Sequence, residues 1–224
     1  MTKSKDQEAI VAINSAGYAS PGGLAVDPVI FSVQENGLCV LVEAGQATLP
    51  GGFVAGGQSP ETAVTAKLEE KTGLKQSDTS LEQLRCYADP DRDPRGWIIS
   101  IAYIGLLPAS MINDDSRQEW VRASDPGTLK YDHNQIIDSA LARVRDWIWR
   151  SNIAAGLLEK TFTIGQARYV FDAVLGISHD AGNFSRDLRR SGLVIATGEN
   201  AGGSGAGRPA ELYRFADASP NWNS

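Results

Sequence analysis

The first two thirds of the chain alternate between short apolar segments and amphipathic ones. LAVDPVIFSV and GLCVLVEA are rich in β-branched residues and are separated by the turn-forming sequence ENG, which predicts a β-hairpin. Two further strands are predicted over residues 81–87 and 97–107, on either side of the polar loop ADPDRDPRG. Apolar residues at helical spacing predict helices over residues 62–72 and 134–150, the first of them closed by Gly73. These elements predict a mixed α/β domain.

The last third of the chain has a different order of elements. Two helices are predicted over residues 154–160 and 163–175, and a third runs from about residue 183 to residue 191. The strand LVIAT, the glycine-rich stretch NAGGSGAG and the strand ELYRF then predict a β-hairpin. Three short helices followed by a hairpin are the order of a winged helix. The predicted divisions are a polar leader (1–20), an α/β domain (21–150), a winged-helix domain (151–216) and a tail (217–224).

Composition and charge limit the function classes. The 224 residues include 21 Lys+Arg and 27 Asp+Glu, and the first 150 residues hold 14 of the basic and 20 of the acidic ones, so the acidity belongs to the α/β domain. No run approaches the roughly 18 apolar residues of a membrane span, and the opening MTKSKDQEA is polar, so we expect a cytoplasmic protein without a membrane partner. Cys39 and Cys86 lack metal-ligand spacing, and His133 and His179 are about fifty residues apart. Zinc enzymes and histidine-activated nucleophiles are therefore disfavoured.

Residues 49–74, LPGGFVAGGQSPETAVTAKLEEKTGL, carry the most informative spacing. They resemble a Nudix box, in which a glycine is followed after five residues by a glutamate, and after seven more by Arg-Glu-apolar-x-Glu-Glu-x-Gly-apolar. The matching positions are Gly52, Leu68, Glu70, Gly73 and Leu74. The polar positions of the pattern that hold other residues here are Gln58, Ala66, Lys67 and Lys71.

The acidic helix face of that family is replaced in this chain. Positions 67, 70 and 71 share one face of the predicted helix, because they are three and four residues apart. The resemblance implies that three carboxylates on this face hold magnesium against a diphosphate, but here the face reads Lys, Glu, Lys, and ammonium groups repel a divalent cation. We therefore predict no metal site, no cofactor and no catalytic residue, in a pocket that still binds its ligand. Two alternatives stay open: a scaffold without a ligand, and a metal-dependent nucleoside-diphosphate hydrolase.

Further stretches resemble the Nudix-related transcriptional regulators (NrtR). In the α/β domain these stretches are LRCYADPDRDPRGWIISIAYIGLLP and YDHNQIIDSALARVR, and in the last third they are TFTIGQARYVFDAVLG, NFSRDLRRSGLV and GRPAELYRF. The resemblance thus covers most of the chain. It implies an α/β (α+β) Nudix-like sandwich domain that senses ADP-ribose, followed by a winged helix-turn-helix domain that binds DNA.

We expect the ligand to bind between the LPGGF loop and the DPDRDPRG loop, because the glycine loop and the arginines of the second loop can recognise phosphate without cleaving it. Arg92 and Arg95 are expected to make bidentate contacts to a diphosphate, and Asp93 to orient an arginine or accept from a ribose hydroxyl. The alternative is a solvated loop tied by Asp–Arg pairs. Only a few residues separate LCVLVEA from LPGG, where many family members carry a longer segment, so a different metabolite such as a sugar stays open. The predicted ligand-binding residues are Gly51, Gly52, Phe53, Glu70, Arg92, Asp93 and Arg95.

Arginines on the helix predicted from about residue 183 to residue 191 indicate DNA binding. Arg186, Arg189 and Arg190 are three and four residues apart and share one face, whereas Phe184 and Leu188 form an apolar stripe that fixes the helix to a core. Arginines on such a helix read guanine edges or contact phosphates in a major groove. A solvated basic face is the alternative. The position of the helix before a glycine-rich hairpin favours DNA binding.

Two more residues extend this surface. Asn183 begins the predicted helix, where it caps the helix or contacts the DNA backbone. Arg208 lies in the glycine-rich hairpin, from which it reaches a phosphate or the minor groove. The predicted DNA-binding residues are Asn183, Ser185, Arg186, Arg189, Arg190 and Arg208.

The function predicted from the sequence is a DNA-binding transcriptional regulator, in its expected form a repressor. Paired recognition helices match palindromic operators, so we expect a homodimer on double-stranded operator DNA. The resemblance implies control of genes of NAD synthesis or salvage, relieved by an ADP-ribose-type effector. Trp147 and Trp149 on the long helix are candidates for the dimer contact, the interdomain contact or core packing. The alternatives are an ADP-ribose hydrolase with an accessory domain and a regulator that responds to a different metabolite.

Overall fold

A computed structural model of the chain describes residues 12–13, 19–113, 115–202, 209–217 and 222. Most of the predicted polar leader and of the predicted tail lies outside these residues. The leader contributes two short strands, β1 (Ala12–Ile13) and β2 (Ala19–Ser20), which pair antiparallel. Within the described part of the chain, no helix is long and apolar enough to cross a membrane.

A mixed β-sheet forms the centre of the first domain. Its strands are β3 (Gly23–Gln34), β4 (Gly37–Glu43), β5 (Gly52–Phe53), β6 (Leu81–Tyr87), β7 (Ile98–Leu106) and β8 (Gln118–Arg122). The predicted hairpin is confirmed as the antiparallel pair β3 and β4, and β3 pairs in parallel with β7 on its other side. The order across the sheet is β6-β7-β3-β4-β8, with β5 added against β3. The sequence analysis missed β5, which has two residues, and β8, whose sequence QEWVR is mostly polar.

Helices cover both faces of this sheet. Phe31 of β3 belongs to the same core cluster as the apolar face of α2 (His133–Trp147). Ile30, its neighbour in the strand, packs instead with Leu68 of α1 (Pro60–Thr72). Because successive residues of a strand point to opposite faces, both faces of β3 are buried, which explains its almost continuous apolar sequence.

The two helices differ from their predicted bounds at the ends. α1 begins at Pro60, two residues before its predicted start, because the hydroxyl of Ser59 caps it and proline is favoured in a first turn. The prediction that Gly73 closes α1 is confirmed, and Gly73 has the left-handed φ of 76° that favours glycine. α2 ends at Trp147, three residues before its predicted end, because the chain turns there and the N–H of Arg150 bonds to the Trp147 carbonyl.

The second domain combines two helices with a small sheet. Its elements are β9 (Phe162–Thr163), α3 (Ile164–Leu175), α4 (Ala181–Arg190), β10 (Val194–Asn200) and β11 (Glu211–Phe215). The three strands lie in the order β10-β11-β9. A capping box of Thr163 and Gln166 opens α3. Residues 203–208, between β10 and β11 in the sequence, lie outside the described residues.

Two predicted helices of this domain have different bounds. The helix expected over residues 154–160 is wrong, because the chain forms only a 3-10 turn over Ile153–Gly156. A segment this short with a glycine inside it does not offset the cost of helix nucleation. α4 begins at Ala181, because the side chain of Asp180 caps it by accepting from the backbone N–H of Asn183 at 2.9 Å. The prediction that Asn183 caps this helix is therefore wrong.

The two domains share one hydrophobic core. The ring of Trp149, in the turn after α2, lies 4.6 Å from the ring of Phe171 in α3 and 5.4 Å from that of Phe184 in α4. Arg145 of α2 donates from Nε to the carbonyl oxygen of Val174 in α3 at 2.9 Å. Trp149 thus lies at the interdomain contact, one of the roles proposed from the sequence. The end of α2 is therefore fixed to both helices of the second domain.

Candidate functional site

A cavity of about 420 Å³ opens at one end of the first domain's sheet. Its wall combines the start of β3, the loop before β5, α1, the loop between β6 and β7, and the residues before α2. The lining residues are Ala25, Asp27, Glu43, Gln46, Thr48, Leu49, Gly51, Gly52, Phe53, Lys67, Lys71, Arg92, Asp93, Arg95, Lys130, Tyr131 and His133. The structure thus brings together all the predicted ligand-binding residues except Glu70.

A larger cavity, of about 640 Å³, lies between α1 and residues 155–160. Its lining holds three acidic side chains, Glu61, Asp78 and Glu159, and one basic side chain, Lys160. This excess of negative charge does not suit a phosphate-containing ligand. The smaller cavity, whose lining has five cationic side chains against three carboxylates, is therefore the candidate site.

The glycine loop packs tightly against the floor of the candidate cavity. A β-carbon on Gly51 would lie 2.0 Å from Oδ1 of Asp27 and 2.3 Å from the carbonyl oxygen of Val26, so no larger residue fits there. A β-carbon on Gly52 would lie 3.0 Å from Cδ of Lys67. The two glycines therefore allow the loop to touch both the buried floor and the side chains of α1.

His133 joins this loop to the buried carboxylate of the floor. The backbone N–H of Leu49 donates to Nδ1 of His133 at 2.9 Å, and Nε2 lies 3.6 Å from Oδ1 of Asp27. Burial lowers the pKa of His133, so the ring is neutral at pH 7, with Nδ1 as the acceptor and the proton on Nε2. The other oxygen of Asp27 accepts from the hydroxyl of Ser100 at 2.5 Å.

Arg92 links the floor of the cavity to the start of α2. Its side chain is 3% exposed, and its Nε and Nη2 donate to the two carboxylate oxygens of Asp132 at 2.8 and 2.5 Å. Nη2 also lies 3.6 Å from Oδ2 of Asp27. Burial lowers the pKa of Arg92, but these carboxylates raise it above its ordinary value overall. The bidentate edge predicted to bind a diphosphate is therefore occupied by Asp132, and a bidentate ligand contact needs Asp132 to be displaced.

Arg95 lies between two aromatic rings at the mouth of the cavity. Its guanidinium carbon is 4.9 Å from the ring centroids of both Phe53 and Tyr131, within the range of cation–π attraction. Nε and Nη2 donate to the carboxylate of Asp93 at 2.9 and 2.6 Å. Burial raises the pKa of Asp93, but the hydrogen bonds from Arg95 lower it below its ordinary value overall. The half-exposed guanidinium is thus fixed where an anionic ligand can contact it.

The face of α1 that resembles the metal-binding face of a Nudix box carries two ion pairs. Nζ of Lys67 lies 2.7 Å from Oε2 of Glu70, and Nζ of Lys71 lies 2.6 Å from Oε2 of Glu43. Both lysines line the cavity, whereas the side chain of Glu70 is 61% exposed and lies outside the lining. Among the described residues, no group of three or more His, Cys, Asp or Glu side chains is arranged to hold a metal ion. These residues do not fit a magnesium ion.

α4 directs its predicted arginines to solvent. The apolar stripe of the helix is buried, and Arg186 and Arg190 are exposed. Nε of Arg189 donates to the hydroxyl of Tyr213 on β11 at 2.9 Å, and that hydroxyl donates to the carboxylate of Glu211. The arginine face therefore continues onto the neighbouring strand of the hairpin.

Two of the remaining predicted DNA contacts, Asn183 and Ser185, lie on the same helix. Asn183 is exposed in the first turn of α4, and Ser185 is half-buried. Arg208 falls within residues 203–208, outside the described part of the chain. The surface that the structure describes is thus a helix with three arginines beside β11.

Several cavity residues escape the sequence analysis, among them Asp27, Lys130, Tyr131 and His133. Asp27 carries a signal, because it is a charged residue inside an otherwise apolar strand. The other three directly precede or begin α2, far along the chain from the Nudix-like box. Tyr131 has a φ of 58°, which turns the chain in a way that no sequence pattern shows.

The chain resembles known proteins over most of its length. A family model, the NrtR DNA-binding winged helix domain, matches residues 154–215. The chain is 29% identical to the ADPR responsive transcriptional repressor NtrR of Acinetobacter baylyi over 228 residues, which are 95% of this chain and 89% of that protein. The crystal structure of Shewanella oneidensis NrtR complexed with a 27mer DNA matches with a TM-score of 0.72 and 28% identity, over 86% of this chain and 93% of that chain. An ADP-ribose pyrophosphatase of Methanocaldococcus jannaschii is 42% identical over 95 residues, which are 40% of this chain and 53% of that enzyme.

The fold combines a Nudix-like domain whose helix face carries lysines with a winged helix that matches a DNA-binding family model. The Acinetobacter repressor and the Shewanella NrtR match most of the chain, whereas the pyrophosphatase matches less than half of it. The chain thus resembles the NrtR regulators over most of its length, and its residues 154–215 match their DNA-binding winged helix domain.

Proposed function

We propose that this protein is a repressor that binds operator DNA through its winged helix and leaves the DNA when an ADP-ribose-type nucleotide binds the cavity. The observation that carries the proposal is the combination of two features in one chain. The cavity has five cationic side chains against three carboxylates and, among the described residues, no group of three or more side chains arranged to hold a metal ion. Residues 154–215 match a DNA-binding winged helix domain. We assign ligand sensing to residues 21–150 and DNA binding to residues 151–216, in a homodimer. Resemblance to the family supports genes of NAD synthesis or salvage as the targets.

The cavity suits a nucleotide diphosphate in charge and shape. The glycine loop offers backbone groups close to the cationic wall, and Arg95 presents a half-exposed guanidinium beside it. Phe53 and Tyr131 flank that guanidinium with planar faces on which a base or a ribose can pack. The name of the Acinetobacter relative, which is responsive to ADPR, supports ADP-ribose as the first ligand to test.

α2 gives a physical route from the cavity to the DNA-binding domain. Asp132, directly before this helix, is held by Arg92, whereas Arg145 and Trp149 hold its other end against α3 and α4. A ligand that takes the guanidinium from Asp132 shifts the start of a helix of 15 residues. In a dimer, a small shift of each α4 alters the spacing of the two recognition helices on DNA.

Fluorescence anisotropy tests this function on a labelled DNA duplex that the protein has selected from a random pool. ADP-ribose is expected to release the bound duplex, whereas AMP, which has no diphosphate, should release much less. ADP-ribose that binds the protein without changing the anisotropy would disprove effector control. Release by a sugar instead would establish the alternative effector.

We also propose that the Nudix-like domain does not hydrolyse its ligand, because lysines occupy the positions of metal-binding carboxylates. The identity to the Methanocaldococcus pyrophosphatase makes ADP-ribose hydrolysis the specific alternative. Incubation of ADP-ribose with the purified protein and magnesium or manganese, followed by chromatography, should yield no AMP. Steady AMP formation that is abolished in Glu70→Gln would establish an enzyme.

A further inference from the structure

We propose that Lys67 and Lys71 take over the charge of the divalent cation, so that their ammonium groups bind the diphosphate of the effector directly and binding needs no metal. The proposal rests on the proposed function, because it concerns the ligand of the same cavity. The two lysines that make this helix face unsuitable for a magnesium ion thus become the residues that bind the diphosphate.

The two lysines are placed one helical turn apart on the wall of the cavity. They are four residues apart in α1, so their side chains leave the same face of the helix. Both line the cavity, and both side chains are 28% exposed. The stem of Lys67 runs across the glycine loop, because a β-carbon on Gly52 would lie 3.0 Å from its Cδ and 3.1 Å from its Cε. The ammonium group therefore lies beside the loop proposed to hold the diphosphate.

Each lysine is oriented by one carboxylate. That contact leaves some of the hydrogen-bond donors of the lysine ammonium group unused. Lys67 contacts Glu70 at 2.7 Å and Lys71 contacts Glu43 at 2.6 Å. An ammonium group has three donors, so each lysine keeps donors for phosphate oxygens after this contact. Glu70 lies outside the lining, so the charge of Lys67 is partnered from outside the cavity.

The charge of the lining matches that of a diphosphate bridge. Five cationic side chains, Lys67, Lys71, Arg92, Arg95 and Lys130, share the lining with three carboxylates, Asp27, Glu43 and Asp93. The neutral ring of His133 adds no charge, so the lining has a formal excess of two positive charges. A nucleotide diphosphate diester carries one negative charge on each phosphate, and the cavity neutralises it without an added ion.

Calorimetric titration of ADP-ribose into the full-length protein, in EDTA and again in magnesium, tests the proposal. The wild-type affinity is expected to change by no more than about twofold between the two buffers, the effect of salt screening. Lys67→Gln and Lys71→Gln should each weaken binding by roughly tenfold to a hundredfold, the loss of a charge-assisted hydrogen bond. Lys75→Gln is the matched control, because Lys75 is exposed just beyond α1 and outside the cavity lining, and it should bind like the wild type.

A second pair of variants separates a ligand contact from a structural role. Lys67→Arg and Lys71→Arg keep the cation and should keep most of the affinity, provided that circular dichroism shows the folded state. In the double variant Lys67→Glu with Lys71→Glu, three carboxylates meet on one helix face, so binding should be lost in EDTA and partly regained in magnesium. Wild-type binding that is abolished by EDTA, or glutamine variants that bind like Lys75→Gln, would overturn the proposal.

Titration with inorganic pyrophosphate tests the lysine site separately from the claim that ADP-ribose is the effector. If ADP-ribose does not bind but pyrophosphate binds in EDTA and is lost in the glutamine variants, the lysine site stands and the ADP-ribose assignment fails. If ADP-ribose binds with equal affinity to the glutamine variants, the effector stands and the lysine site fails. If neither compound binds, both proposals fall.

Discussion

Replacing Arg92 by methionine is expected to destabilise the folded chain by about 3–5 kcal/mol, the range for removing one partner of a buried ion pair. The Arg92 side chain is 3% exposed, and the change removes two hydrogen bonds to Asp132, at 2.8 and 2.5 Å. It also removes the cation that lies 3.6 Å from Oδ2 of the buried Asp27. Methionine keeps an unbranched stem of similar length, so the loss reports mainly the missing charge. The result measures how strongly the cavity floor is tied to the start of α2.

Urea unfolding followed by tryptophan fluorescence measures the change, with Arg150→Met as the matched control. Arg150 pairs with Asp146 at 3.1 Å, but both side chains are more than half exposed. Exposed pairs contribute about 0–1 kcal/mol, so the control should unfold at nearly the wild-type urea concentration. A loss for Arg92→Met no greater than that for Arg150→Met would refute the role given to the buried pair.

Three further predictions follow from individual contacts. Gly51→Ala should destabilise the chain by about 1–3 kcal/mol or more in urea unfolding, because its β-carbon meets a buried carboxylate oxygen at 2.0 Å, whereas Gly56→Ala, with open space at that position, should not. Burial lowers the pKa of His133, so the unfolded chain binds a proton that the folded chain does not, and stability is lost as the pH falls below the ordinary pKa of 6.5. The melting temperature of His133→Asn should therefore fall less steeply than that of the wild type over this range, and equal slopes would contradict the assignment. Arg190→Ala should weaken DNA binding by roughly 1–3 kcal/mol if it reads a base, whereas Arg85→Ala, on exposed β6, should leave anisotropy titrations unchanged.

The sequence predicts the elements that depend on local patterns. The hairpin of β3 and β4, the end of α1 at Gly73 and the capping box of α3 all follow from residues a few positions apart. The helix expected over residues 154–160 fails because its apolar residues pack against the shared core without needing a helix. Strand β8 is missed because its polar sequence is held by pairing with β4, a contact distant in the chain.

The candidate site divides in the same way. The Nudix-like spacing locates the glycine loop and the helix face, because both lie within 26 residues of continuous sequence. It does not show that Glu70 points away from the cavity, since an ion pair with Lys67 turns it outward. Nor does it show that Asp132 forms an ion pair with Arg92, because the two residues are 40 positions apart and come together only in the fold.

The claim that ligand binding in the cavity controls DNA binding is tested most directly by two calorimetric titrations of ADP-ribose, one into free protein and one into protein saturated with its DNA duplex. Because coupling between two sites is reciprocal, DNA must weaken ADP-ribose by the same factor by which ADP-ribose weakens DNA, typically about 5- to 150-fold. We predict a weaker ADP-ribose affinity for the DNA complex, by a factor equal to that measured from the DNA side. Equal ADP-ribose affinities in the two titrations would contradict the account.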